Sequence, residues 1–110
     1  MTYEQIYSLI SGIGLPCSYY AFPEKMVPPT PYIVFYYPGR DDDAADNINY
    51  GRILTLNIEL YSDEKDFDHE SEIEAALTSA GLFFVKSEMY IDSERMYEVL
   101  YESEIAFNEN

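Results

Sequence analysis

The stretch Arg52-Ile53-Leu54-Thr55-Leu56-Asn57-Ile58-Glu59-Leu60-Tyr61 decides the fold. Leu54, Leu56, Ile58 and Leu60 fall on one side of an extended chain, and Thr55, Asn57 and Glu59 on the other. A period of two marks a half-buried strand, and its apolar face needs an apolar layer against it. The flanking sequence supplies that layer. Downstream, a helix begins within Asp63–Asp68 and ends at Gly81. Its acids crowd the first turn, where they complement the helix dipole. His69, Ile73, Ala76, Leu77 and Ala80 are spaced to share one face, and Gly81 suits the position just past the last turn. Leu82–Ile91 then reads as a strand, Asp92-Ser93-Glu94 as a turn, and Met96–Phe107 as the last strand. Tyr97, Val99, Tyr101, Ile105 and Phe107 line one face of that strand, with Glu98, Glu102 and Glu104 on the other. So short a turn predicts an antiparallel hairpin.

Upstream, Tyr32-Ile33-Val34-Phe35-Tyr36-Tyr37 is β-branched and aromatic throughout and is closed by Pro38-Gly39. Such a run predicts a central strand covered on both faces. Pro23, Pro28, Pro29 and Pro31 make the preceding segment a stiff loop. Cys17–Phe22 is a short extended piece. At the N-terminus, Thr2 and Gln5 have the spacing of a capping box. Tyr3, Ile6, Tyr7 and Ile10 form one helical stripe, and Gly12, Gly14 and Pro16 end it. Arg40–Asn49, carrying Asp41, Asp42, Asp43 and Asp46, is the most polar stretch and reads as an exposed loop. The order is α-β-β-β-α-β-β. It predicts one α+β domain, a mainly antiparallel sheet with both helices on one face.

The chain has 110 residues, 47% of them hydrophobic and 16% aromatic, enough for one core without staples. Six basic residues stand against 21 acids, a formal charge of -15. That surface repels phosphate backbones and anionic lipid, so neither a sequence-specific nucleic-acid grip nor a polybasic membrane anchor is expected. Met1-Thr2-Tyr3-Glu4-Gln5 lacks the basic and apolar regions of a signal peptide, and no run approaches the length of a membrane span. A soluble, cytoplasmically made protein is expected.

The sequence offers little for catalysis. One cysteine and one histidine exclude a disulfide and a four-ligand zinc site. Cys17 follows Pro16 in extended chain with no cation nearby, which does not favour a thiolate. His69 lies on an apolar stripe with no HxxxH partner, the place of a core-edge histidine. The Asp41–Asp46 run lacks the alternating oxygens and placed glycine of a calcium loop. Asp63, Glu64, Asp66, Asp68 and Glu70 are explained as acids at a helix start. Glu98, Glu102 and Glu104 must face water or a basic partner surface, because three like charges are unsuited to burial. No phosphate-binding or nucleophile-elbow motif is present. The expectation is a non-enzyme with no cofactor and no metal. Twelve tyrosines and an open sheet point to protein–protein assembly.

Beyond these patterns, the chain resembles the small tail terminator proteins of long-tailed phages and Gram-positive prophages, which complete the tail and join it to the head. The resemblance runs through Gly14-Leu15-Pro16, Tyr19-Tyr20-Ala21-Phe22, Pro29-Thr30-Pro31-Tyr32-Ile33-Val34 and Ala44-Ala45-Asp46-Asn47. It continues in Ile58-Glu59-Leu60-Tyr61-Ser62-Asp63-Glu64-Lys65-Asp66, Glu88–Glu94 and Met96–Glu102. It implies a ring-forming virion protein, commonly a hexamer, that caps the tail tube and docks the head connector or a head-completion protein. Its partners would be copies of itself, the tail tube protein and that connector. Its place would be the bacterial cytoplasm during assembly and the head–tail junction afterwards. Arg40, Asp41, Asp42, Asp43, Asp46, Tyr50, Arg52, Glu98, Glu102 and Glu104 are the interface candidates, and some of the acids are expected to line the ring lumen. The alternative is an acidic DNA mimic or inhibitor that occupies a basic partner site.

Overall fold

The computed structural model describes residues 1–41 and 52–107, with the backbone alone at Arg40, Asp41 and Arg52. Among the described residues, two helices, α1 (Tyr3–Ser11) and α2 (Phe67–Ser79), accompany six strands. These are β1 (Cys17–Tyr19), β2 (Tyr32–Tyr36), β3 (Arg40–Asp41), β4 (Arg52–Ser62), β5 (Phe84–Ile91) and β6 (Met96–Phe107). The sheet runs β1-β2-β4-β6-β5, and β3 pairs with β4 off that path. β1 lies parallel to β2, and the other pairings are antiparallel. This is the α+β architecture expected.

Local chemistry starts and stops each helix. Thr2 and Gln5 form a reciprocal capping box, each side chain bonded to the other residue's backbone N–H. Asp66 caps α2, its side chain accepting from the backbone N–H of His69. Past the end of α2, Gly81 takes φ of +75°, a left-handed conformation that strains any side-chain-bearing residue. Both helices press on one sheet face. Ile6 and Ile10 of α1 and Ile73 and Leu77 of α2 join a single core. That core includes Ile33, Phe35, Leu54, Leu56, Ile58, Leu60, Val99, Tyr101, Ile105 and Phe107. These strand residues alternate, as the period of two requires.

Three expectations are corrected. Arg40 and Asp41 do not open a loop: they form β3, opposite Leu54 and Ile53. The Pro38-Gly39 turn folds the chain back on β4, where the Thr55 N–H donates to the Gly39 carbonyl at 2.9 Å. β2 is not sandwiched between layers, because both helices lie on its Ile33–Phe35 side. Val34, on the opposite side, is also buried, in the lining of a groove that includes Tyr20, Phe22, Tyr32 and Tyr61. Finally, Glu70 is not simply an acid at a helix start but turns toward the sheet. Glu70 is 2% exposed, whereas His69 is half-buried with Nδ1 2.6 Å from Asp66 Oδ2.

Candidate interaction surfaces

The helix-covered face carries its charge in compensated form. Lys65, just before α2, contacts both Glu70 and Glu88. Lys86, on β5, lies 2.9 Å from Glu70 Oε1 and 2.7 Å from Glu74 Oε2. The buried Tyr101 hydroxyl donates to Glu74 Oε2 at 2.8 Å. The Lys86 ammonium, then the Tyr101 hydroxyl, hold the Glu74 carboxyl below the usual range. This arrangement latches α2 to β5.

The opposite sheet face differs. Strand alternation places Tyr32, Val34 and Tyr36 of β2 beside Tyr61, Glu59 and Asn57 of β4. These in turn neighbour Glu98, Leu100 and Glu102 of β6. No helix covers them among the described residues. Tyr32 and Tyr61 stack with centroids 5.2 Å apart. The Tyr61 hydroxyl lies 2.6 Å from Glu59 Oε1 and 3.4 Å from Glu98 Oε1. The Tyr36 hydroxyl donates to Glu59 Oε2 at 2.7 Å and receives Asn57 Nδ2 at 3.4 Å. Burial raises the Glu98 carboxyl above the ordinary range, and the neighbouring Glu59 raises it further. Tyr61 is raised too, by burial and then by Glu59. At the β1 side, Tyr20, Phe22, Val27, Tyr32, Tyr61 and Met96 line a groove of about 390 Å³ with Glu94 on its rim.

The third surface is the sheet edge. β5 pairs with β6 on one side and, among the described residues, with nothing on the other. It is eight residues long and exposed along most of its length. Phe83 is 93% exposed and Val85 67%, and Met89 and Tyr90 are also open. An unpaired edge with exposed apolar side chains is a template for another chain.

The candidates from sequence fall unevenly on these surfaces. Glu98 joins the Tyr61–Glu59 network, while Glu102 and Glu104 are exposed on the same face. Arg40, Asp41 and Arg52 are placed by backbone alone, at the β3–β4 pairing and opposite Phe107. Asp42, Asp43, Asp46 and Tyr50 lie outside the described residues. Sequence reading missed Glu59 as the partner of Glu98, because the two meet only through the β4–β6 register that sets Tyr61 opposite Glu98. Cys17 is half-buried with its thiol pushed up by burial, the wrong direction for a nucleophile. Among the described residues, no group of three or more His, Cys, Asp or Glu is arranged to hold a metal ion. Nor is any described helix long and apolar enough to cross a membrane.

No protein-family model matches the chain, and no curated protein matches it. A solved structure does. A chain in the virion of a native gene transfer agent particle superposes with a TM-score of 0.56 and 18% sequence identity. The match covers 93% of this chain and 89% of that one. At that identity the similarity establishes a shared fold over most of both chains.

Proposed function

We propose that this protein is a structural component of a phage-like virion, a tail terminator or tail-completion protein. In this reading copies of the chain form a ring that caps the tail tube and docks it to the head connector. The observation that carries it is the fold match to a virion chain over 93% of this chain. Two features support it. The β5 edge, with Phe83, Val85 and Met89 exposed, suits closure against a neighbouring subunit. On the open face the stacked Tyr32 and Tyr61 supply aromatic surface of the kind enriched at protein interfaces.

Electron microscopy of particles from a deletion mutant tests the role. Overlong, headless tubes support a terminator, and filled heads without tails indicate a head-side connector instead. Normal particles overturn the virion reading. Native mass spectrometry of wild type and V85K/M89K tests the ring. The wild-type chain should form a closed oligomer, and the variant should stay monomeric with an unchanged circular dichroism spectrum. An oligomer that survives both lysines rejects β5 as the contact.

A further inference from the structure

The two acid clusters of this protein are not alike. On the helix side, Glu70, Glu74 and Glu88 are matched by the ammonium groups of Lys65 and Lys86. On the open face, Glu59 and Glu98 share the Tyr61 hydroxyl, and among the described residues no lysine, arginine or histidine stands within ion-pair distance of either. Their neighbours across the strands are Val34, Leu100, Tyr61 and Met89, a setting that strips water from charge without replacing it.

The network is also short of hydrogen. Three carboxylate oxygens draw on the single hydrogens of the Tyr36 and Tyr61 hydroxyls. Asn57, 8% exposed and joined to the same network through Tyr36, has an Oδ1 with no donor among the described residues. A ligand suited to this network therefore carries positive charge and several N–H groups. The groove beside it defines the shape. Stacked Tyr32 and Tyr61 form one wall, and Phe22, Val27 and Met96 continue the apolar lining toward Glu94.

We infer that this face is a receptor for an arginine side chain presented by a basic segment of another protein. Its guanidinium is held by Glu59 and Glu98, and its stem lies on the Tyr32–Tyr61 platform. Guanidinium fits better than a bare ammonium. It is planar, stacks on aromatic rings, and divides its five donors between two acceptor groups. A heterologous basic partner fits better than a second copy, because the chain has only six basic residues against 21 acids to offer to an acidic site. The site centres on Glu59 of β4 and Glu98 of β6, with Met89 of β5 beside it, and its test uses the wild-type edge, so its outcome is read apart from ring closure.

The test is a heteronuclear NMR titration of the full chain with a blocked leucine–arginine–leucine tripeptide and its citrulline counterpart, which keeps the shape and removes the charge. The arginine peptide should shift the amides of Tyr32, Asn57, Tyr61 and Glu98 in a saturable manner, with at least tenfold higher affinity than the citrulline peptide. E59Q/E98Q should lose at least tenfold in affinity, while E102Q, exposed on the same face, should change it less than twofold. Location is read on the wild-type chain, so the inference is tested even if the double variant fails to fold. Shifts centred instead on the acids at 63–72, or equal binding of the two peptides, would overturn it. So would concentration-dependent shifts at Lys25 or Arg95 without peptide, since a second copy would then be filling the groove.

Discussion

Glu70 provides the sharpest test of how this fold is held together. Its carboxylate is 2% exposed, with Lys65 at one oxygen and Lys86 2.9 Å from the other. The lysines are partly solvated, so either one alone is worth little more than a surface pair, about 1 kcal/mol. Together they are the compensation for a buried charge. In the doubly substituted K65M/K86M chain, methionine keeps most of the aliphatic stem while the carboxylate is stranded. Breaking a buried ion pair by removing its partner costs about 3–5 kcal/mol. That is a large share of the roughly 5–15 kcal/mol that stabilises a typical domain. At a few degrees for each kcal/mol in a domain of this length, the midpoint of thermal unfolding should fall by more than about 10 °C. The single variants should lose much less than half of that each. Adding Glu70→Gln to the double variant removes the stranded charge and should restore most of the loss. The assay is urea denaturation of the wild type, the single and double lysine variants, and the triple variant. A double variant within about 1 kcal/mol of wild type, or no recovery on adding Glu70→Gln, would show that the cluster is only a solvated surface.

Three further outcomes follow from single sites. Tyr101→Phe removes a buried hydroxyl that donates to the Glu74 carboxylate at 2.8 Å, and should cost about 1.5–3 kcal/mol in denaturant titrations, the range for a hydrogen bond to a charged group. Gly81→Ala meets no atom within 4 Å of the added Cβ, so its cost is the left-handed backbone alone. About 1–2 kcal/mol is expected by calorimetry, with Gly81→Asn milder. The Glu98 carboxyl is raised on folding, first by burial and then by Glu59, so the folded state holds its proton longer than the unfolded state. Stability from this group is therefore full on the acid side and falls as pH rises through its folded value, then stays flat. Glu98→Gln should stabilise the protein at neutral pH, with the advantage vanishing at acid pH. The opposite trend in pH-dependent unfolding curves would reject the Glu59–Glu98 pairing.

What the sequence made legible was local. The capping box of Thr2 and Gln5 involves neighbours three residues apart, and the alternation of Leu54–Leu60 is written within one strand. Both needed no knowledge of the rest of the chain. The order of strands did. The β5–β6 hairpin was expected, but β6 also inserts between β4 and β5, so the chain leaves β4, crosses through α2 to the edge, and returns to fill the gap. That insertion creates both acid clusters. It sets Glu98 diagonal to Glu59, and it brings Lys86 on β5 over Glu70 and Glu74 on α2. The sequence placed Glu70 among the acids of the helix start, because a glutamate is a poor core residue by itself. Glu70 becomes a tolerable one only with lysines from outside its helix, which no helical pattern can encode.

The contrast between the two sides of the sheet bears on function more than any single residue does. A formal charge of -15 must be managed in a compact domain, and two of six cations are committed to one cluster beneath α2. Had the open face needed only to be soluble, exposed acids such as Glu102 and Glu104 would have sufficed. Instead it holds half-buried carboxylates against stacked tyrosines, where each charge loses hydration and gains no counter-ion among the described residues. Folding alone does not reward that arrangement, because the raised Glu98 is a cost at neutral pH. Such a cost is sustained where a second molecule offsets it on contact. The same reasoning applies to the edge at β5, whose exposed Phe83 and Val85 contribute nothing to the core on the far side of the sheet. If the chain is the virion component proposed above, both features are surfaces that contact with other chains would cover.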